Sequence, residues 1–129
     1  MNGKFIHSRE AIWTCDLYDV LGAEGRLRSA LIVVTPFTRY FREFVEYRRR
    51  PQREEEAVAG IRDLYLLELW YRRPRVIESP DEGLVTRLKE LPLRPSFRHC
   101  EANDRLMMAR HDFARRCATR RRPRYYRGA

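Results

Sequence analysis

Seven prolines divide this chain of 129 residues, and no other feature limits its folding as much. A proline lacks the amide donor and its ring clashes with the turn before it, so it opens or closes a helix and breaks a sheet interior. Between the prolines, five segments carry apolar residues at helical spacing, and none reads as a strand by alternation. The expectation is a mostly α chain of several short-to-medium helices separated by prolines, with an extended basic C-terminal tail, and not a compact enzyme fold.

The first segment runs from about Arg9 to Leu21, with Ser8 as cap and Gly22 as stop, and gathers Trp13, Leu17, Val20 and Leu21 on one face. Residues 23–34 are ambiguous, because Ala30-Leu31-Ile32-Val33-Val34 suits a buried helix end or a strand. Thr35 then caps, and Pro36 takes the first position of a helix carrying Phe37, Tyr40, Phe41, Phe44 and Val45. That ladder of rings fits a core helix, or a stripe that docks on another subunit, where aromatic residues and arginine concentrate.

From Pro51 to Pro74, Glu54, Glu55 and Glu56 at one end and Arg72 and Arg73 at the other complement a helix dipole. Val58, Ile61, Leu64, Tyr65, Leu66, Leu67, Leu69 and Trp70 cover so much of its circumference that burial from two sides is expected, one side being another chain. Ser79, Pro80 and Glu82 read as a capping box opening a helix that closes at Pro92. Residues 96–121 form the last expected helix, with Leu106, Phe113, Ala114 and Cys117 near one face.

At 43% hydrophobic and 12% aromatic, the chain can build one modest core. The net charge is +9, and seven arginines without an acid lie in the tail: Arg115, Arg116, Arg120, Arg121, Arg122, Arg124 and Arg127. Residues 1–114 therefore carry only 9 − 7 = +2, which separates a helical body (1–114) from an arginine-rich tail (115–129). With Tyr125 and Tyr126 as stacking platforms, the tail suits rRNA, an acidic partner subunit or anionic lipid head groups. No apolar run approaches the roughly 20 residues a membrane span needs.

Catalytic patterns are thin. The glycines of Leu21-Gly22-Ala23-Glu24-Gly25-Arg26 have the wrong spacing to cradle phosphate, and there is no serine elbow or His-Glu-x-x-His. Asp16 and Asp19 read as solvated charge. Cys100, His99, His111 and Cys117 lack the tight turn of a zinc site. A disulfide between Cys100 and Cys117 requires a turn near Asn103, and buried reduced thiols are the alternative. No catalytic residue, metal, cofactor or small-molecule substrate is expected.

Two short stretches carry a family resemblance. Leu31-Ile32-Val33, Pro36, Thr38 and Arg42-Glu43-Phe44-Val45-Glu46, followed by Tyr71-Arg72-Arg73-Pro74, resemble the PDSW subunit of mitochondrial respiratory complex I. In that comparison Cys100 and Cys117 correspond to the family's later cysteine pair. A second likeness joins Gly83-Leu84-Val85-Thr86-Arg87-Leu88-Lys89-Glu90-Leu91-Pro92, with Arg98 and Arg105, to the small helical subunit 7 of complex III.

The first resemblance implies a non-catalytic accessory subunit, peripheral to the inner mitochondrial membrane on its intermembrane-space side and bound to other subunits of a large membrane complex. Phe37, Tyr40, Phe41, Phe44, Tyr65, Trp70 and Tyr71 would be its anchors, with Arg42, Arg72 and Arg73 pairing acids on neighbours. The alternative expectation is a mitochondrial ribosomal protein that holds rRNA through the tail.

Overall fold

A computed structural model describes residues 12–45 and 49–119. Its centre is a sheet of five strands: β1 (Ile12–Leu21), β2 (Leu27–Val34), β3 (Arg39–Glu43), β4 (Val76–Ser79) and β5 (Ser96–His99), in spatial order β3-β2-β1-β4-β5. The first three form an antiparallel meander, and β4 and β5 join parallel to β1. Helices α1 (Arg50–Leu67) and α2 (Glu82–Leu88) cover one face and α3 (Asp104–Thr119) covers the other. The mostly α expectation, and with it the all-helical body, is overturned: this is an α/β chain with three layers.

Residues 12–45 misled because both faces of the sheet are covered. Strands buried on two sides lose the polar alternation of a half-exposed strand. Trp13, Cys15 and Leu17 point toward α1 and α2, where they join Leu31, Val33, Ile77 and Phe97. Ala30, Ile32 and Val34 point the other way, against Leu106, Ala109, Phe113 and Cys117 of α3. What looked like one helical face from Arg9 to Leu21 is, from Ile12 onward, a strand with two inner faces. Gly25, at φ 75°, supplies the left-handed residue of the β1–β2 turn, which Gly22 closes by donating to the Arg26 carbonyl at 2.7 Å.

The expected ring-bearing helix after Pro36 is also a strand. The Thr35 hydroxyl does accept backbone amides, from Phe37 at 3.1 Å and Thr38 at 2.9 Å, but it closes the β2–β3 turn instead of starting a helix. Phe41 then stacks on Phe113 beneath α3, while Phe44 is buried on the α1 side. Rings at helical spacing thus serve opposite faces of β3 and the residue beyond it.

Three expected helices exist with shifted ends. α1 stops at Leu67, leaving Trp70–Arg72 in a short 3-10 turn. It presents Ala57, Gly60, Ile61 and Tyr65 to the sheet, and Gly60 sits so close that a Cβ there would lie 3.1 Å from Leu31 Cδ2. α2 is capped by Asp81, whose side chain accepts from the Leu84 amide, while Ser79 ends β4. The last helix begins only after β5, with Asn103 Oδ1 accepting from Leu106 at 2.8 Å. Among the described residues, no helix is long and apolar enough to cross a membrane.

Candidate interaction surface

The end of α1 is a fixed apolar knuckle. Its last carbonyls have no partner within the helix, and Arg73 supplies one. Arg73 Nε donates to the Glu68 carbonyl at 3.2 Å and Nη2 to that of Leu66 at 3.1 Å. The Glu68 side chain accepts from the Leu69 amide at 2.9 Å, and the Arg72 amide donates to the Leu69 carbonyl at 2.8 Å. Beneath this turn, the Arg73 guanidinium lies over the Tyr65 ring, which meets Trp13 edge-on in the core. Residues 66–73 are therefore tied to the body by side chains as well as by the chain.

The knuckle holds five large apolar side chains outward. Leu66, Leu67, Leu69, Trp70 and Tyr71 are 49–83% exposed, with Leu67 at 83% and Trp70 at 78%. Trp70 and Tyr71 pack edge to face, 5.6 Å between centroids. Beside them Phe37, on the β2–β3 turn, is capped by the Arg72 guanidinium at 3.7 Å. Isolated exposed apolar residues need no explanation, but a joined set rimmed by arginine has the composition of a protein interface.

The expected interface residues divide on this geometry. Phe37, Trp70, Tyr71 and Arg72 stand at or beside the knuckle, and Arg73 organises it. Phe44 and Tyr65 belong to the chain's own core, and Tyr40 and Phe41 are half-buried against it. Arg42 lies on β3, its guanidinium close to Gly60 of α1. The leucines at 66, 67 and 69 were expected to be covered from two sides. The sheet takes only one side of α1; Leu66 and Leu67, in its last turn, face away from the sheet, and Leu69 lies beyond the helix end.

A second, polar feature lies at the opposite end of the sheet. There β1 runs on past the end of β4, and the chain leaves β1 and β4 in opposite directions, the place where open α/β sheets form a crevice. The cleft is about 450 Å³ and is lined by Asp16, Arg50, Asp81, Glu82, Gly83, His99 and Arg110, together with Pro80. Asp16, expected to be solvated, is almost fully buried and accepts from Arg110 Nε at 2.6 Å. Burial pushes its carboxyl above the ordinary range, against the pull of Arg110, and the nearby Asp81 adds to the rise.

Arg50 pairs with both Asp81 and Glu54, and Glu54 also takes Arg87 at 2.9 Å. Each of these guanidinium groups is engaged by a carboxylate, so the cluster ties α1, α2 and α3 to the strand ends. Among the described residues, no three His, Cys, Asp or Glu side chains stand so as to hold a metal ion.

Neither Cys100 nor Cys117 is in a disulfide. Cys100 precedes α3 and Cys117 lies near its far end, so the 13 residues from Asp104 to Cys117 alone separate them by about 20 Å of helical rise. That is several times what a disulfide spans, and the pairing that the resemblance implied is not made. Of the arginine tail, Arg115 and Arg116 lie on α3, where Arg116 covers the Phe41 ring at 4.7 Å. Arg120, Arg121, Arg122, Arg124 and Arg127 lie outside the described residues.

No family model matches the chain, and no curated protein matches it. Among solved structures, it is similar to a chain of the cryo-electron microscopy structure of a simian T-cell lymphotropic virus intasome in complex with PP2A regulatory subunit B56 gamma. The likeness covers 82% of this chain and 36% of that one, with 15% identity and a TM-score of 0.42. This chain thus spans little more than a third of that chain's length, and likeness at that level assigns it no function.

Proposed function

We propose that this chain is a non-catalytic docking subunit that attaches to a larger protein assembly through the knuckle of residues 66–71. One observation carries the reading: five large apolar side chains are held 49–83% exposed on a turn that Arg73 braces through the Leu66 and Glu68 carbonyls and joins to the buried Tyr65 ring. Such a surface loses little conformational entropy when it binds, because its backbone is already ordered. Trp and Tyr with a flanking Arg are also the residues that most often dominate binding energy.

The particular assembly rests on sequence motifs alone. Arg42–Glu46 and Tyr71–Pro74 nominate a mitochondrial respiratory complex, and the helix implied at the first motif is, as far as Glu43, strand β3. Complex I is therefore the first assembly in which to test the docking. Native gel electrophoresis of gently solubilised membranes, with mass spectrometry of the band, makes the test. The wild-type chain is expected in a particle far larger than its own 15.6 kDa. The Leu67→Ser/Trp70→Ser variant is expected to migrate alone while keeping its circular dichroism. A wild-type chain that runs alone in every fraction would refute the reading.

A further inference from the structure

The knuckle also specifies what it docks on. We infer that its partner is a different, acidic protein surface: an apolar pocket rimmed by carboxylates that receives Trp70 and Leu67. This rests on the docking function proposed above and adds the partner's shape and charge.

The shape follows from exposure. Leu67 and Trp70, at 83% and 78% exposed, stand clear of their own chain, so the knuckle is convex. A convex apolar surface buries well only in a concave one, and two copies meeting knuckle to knuckle would leave most of it wet. The charge follows from the rim. Arg72 covers Phe37, and Arg75 is exposed two residues beyond Arg73; among the described residues neither forms an ion pair. Of the acids nearby, Asp63 pairs with Arg62 at 3.1 Å, and the negative charge of Glu68, whose side chain accepts from the Leu69 amide, is offset by Arg73 in the same turn. The rim therefore offers two cations to a partner, and a second copy of this chain, at +9, would bring more of the same charge. Rim charges of this kind select the partner and speed encounter more than they add affinity.

The test is site-specific photocrosslinking in the native host with Trp70→p-benzoylphenylalanine in the full-length chain, followed by sequencing of the crosslinked peptide. The expected product joins residue 70 to another protein, at a segment with apolar residues flanked by Asp or Glu. Adding Arg75→Glu, at an exposed position whose side chain makes no hydrogen bond or ion pair among the described residues, should lower the yield about tenfold by setting like charges opposite one another. A crosslink to another protein at a neutral or basic segment, or one indifferent to Arg75→Glu, overturns the acidic partner and leaves the docking function standing. A crosslink only within the chain, for instance to Phe5 or Ile6, or only to a second copy, overturns both.

Discussion

Arg110 of α3 donates to Asp16 of the central strand at 2.6 Å, yet burial holds the Asp16 carboxyl above its ordinary pKa. The pair joins residues 94 apart in sequence and fastens α3 to the sheet. Its charged form is nevertheless harder to keep in the folded protein than in the unfolded chain, where an aspartate titrates near about 3.9. Between that value and the raised folded one, the native state binds more protons, so this group's contribution to stability is lost as pH rises. Asp16→Asn keeps the side-chain shape and removes the titration. The stability of wild type minus that of Asp16→Asn, from urea unfolding at a series of pH values, should therefore fall as pH climbs from about 4. A difference that rises over the same range would show that Arg110 outweighs desolvation.

Cys100 offers a chemical readout of the same end of the sheet. Its thiol is pushed up to about 11, first by burial and then by the charge and hydrogen bond of Glu78. Cys15 and Cys117 are fully buried, and burial raises the Cys15 thiol further still. Iodoacetamide near neutral pH should label Cys100 slowly and the other two only after unfolding, because the thiolate is the nucleophile. Glu78→Gln removes the neighbouring charge, lowers the Cys100 pKa and speeds that labelling. Equal rates in the two proteins, followed by mass spectrometry, would contradict the Glu78 contribution.

Packing between α1 and the sheet is tight enough to test at a single glycine. Alanine in place of Gly60 would gain about 1 kcal/mol of helix propensity. Its Cβ would also sit 3.1 Å from Leu31 Cδ2, and Leu31 is fully buried between the layers. Overpacking of this kind costs about 1–3 kcal/mol, so Gly60→Ala should be net destabilising, by about 1 kcal/mol in chemical denaturation. A more stable Gly60→Ala would mean that β2 and α1 can separate at little cost.

The helices of the second half were legible in sequence because prolines and caps mark them: α2 and α3 fall inside the segments so delimited, and α1 starts one residue before its segment. The sheet was not, apart from the strand alternative at Ala30–Val34 that β2 bears out, although its signs were present. Ile12-Trp13-Thr14 and Ile32-Val33-Val34-Thr35 are rich in β-branched and aromatic residues, and Gly22 and Gly25 mark a hairpin turn between them. Helical spacing overrode those signs, since a strand buried on both faces shows no alternation. The sheet then supplied the surface that hides Phe44 and Tyr65, rings that sequence alone assigned to a partner. The polar cleft joins residues far apart in the chain, as Asp16 and Arg110 are, and local spacing carries no trace of it.

What remains of the expected interface is separable from the core by stability alone. Tyr65 is buried against Trp13 and under Arg73, so Tyr65→Ala should cost about 3–5 kcal/mol, as large aromatic truncations in cores do. Trp70 and Leu67 touch solvent over most of their surface. Trp70→Ser and Leu67→Ser should therefore leave the unfolding free energy within about 0.5 kcal/mol of wild type while raising solubility. Arg73→Ala should fall between, losing about 1–2 kcal/mol with its bonds to the Leu66 and Glu68 carbonyls and admitting faster hydrogen exchange over residues 66–73. If Trp70→Ser instead destabilised the isolated chain by several kcal/mol, the indole would be part of its own core, and the knuckle would not be a docking surface.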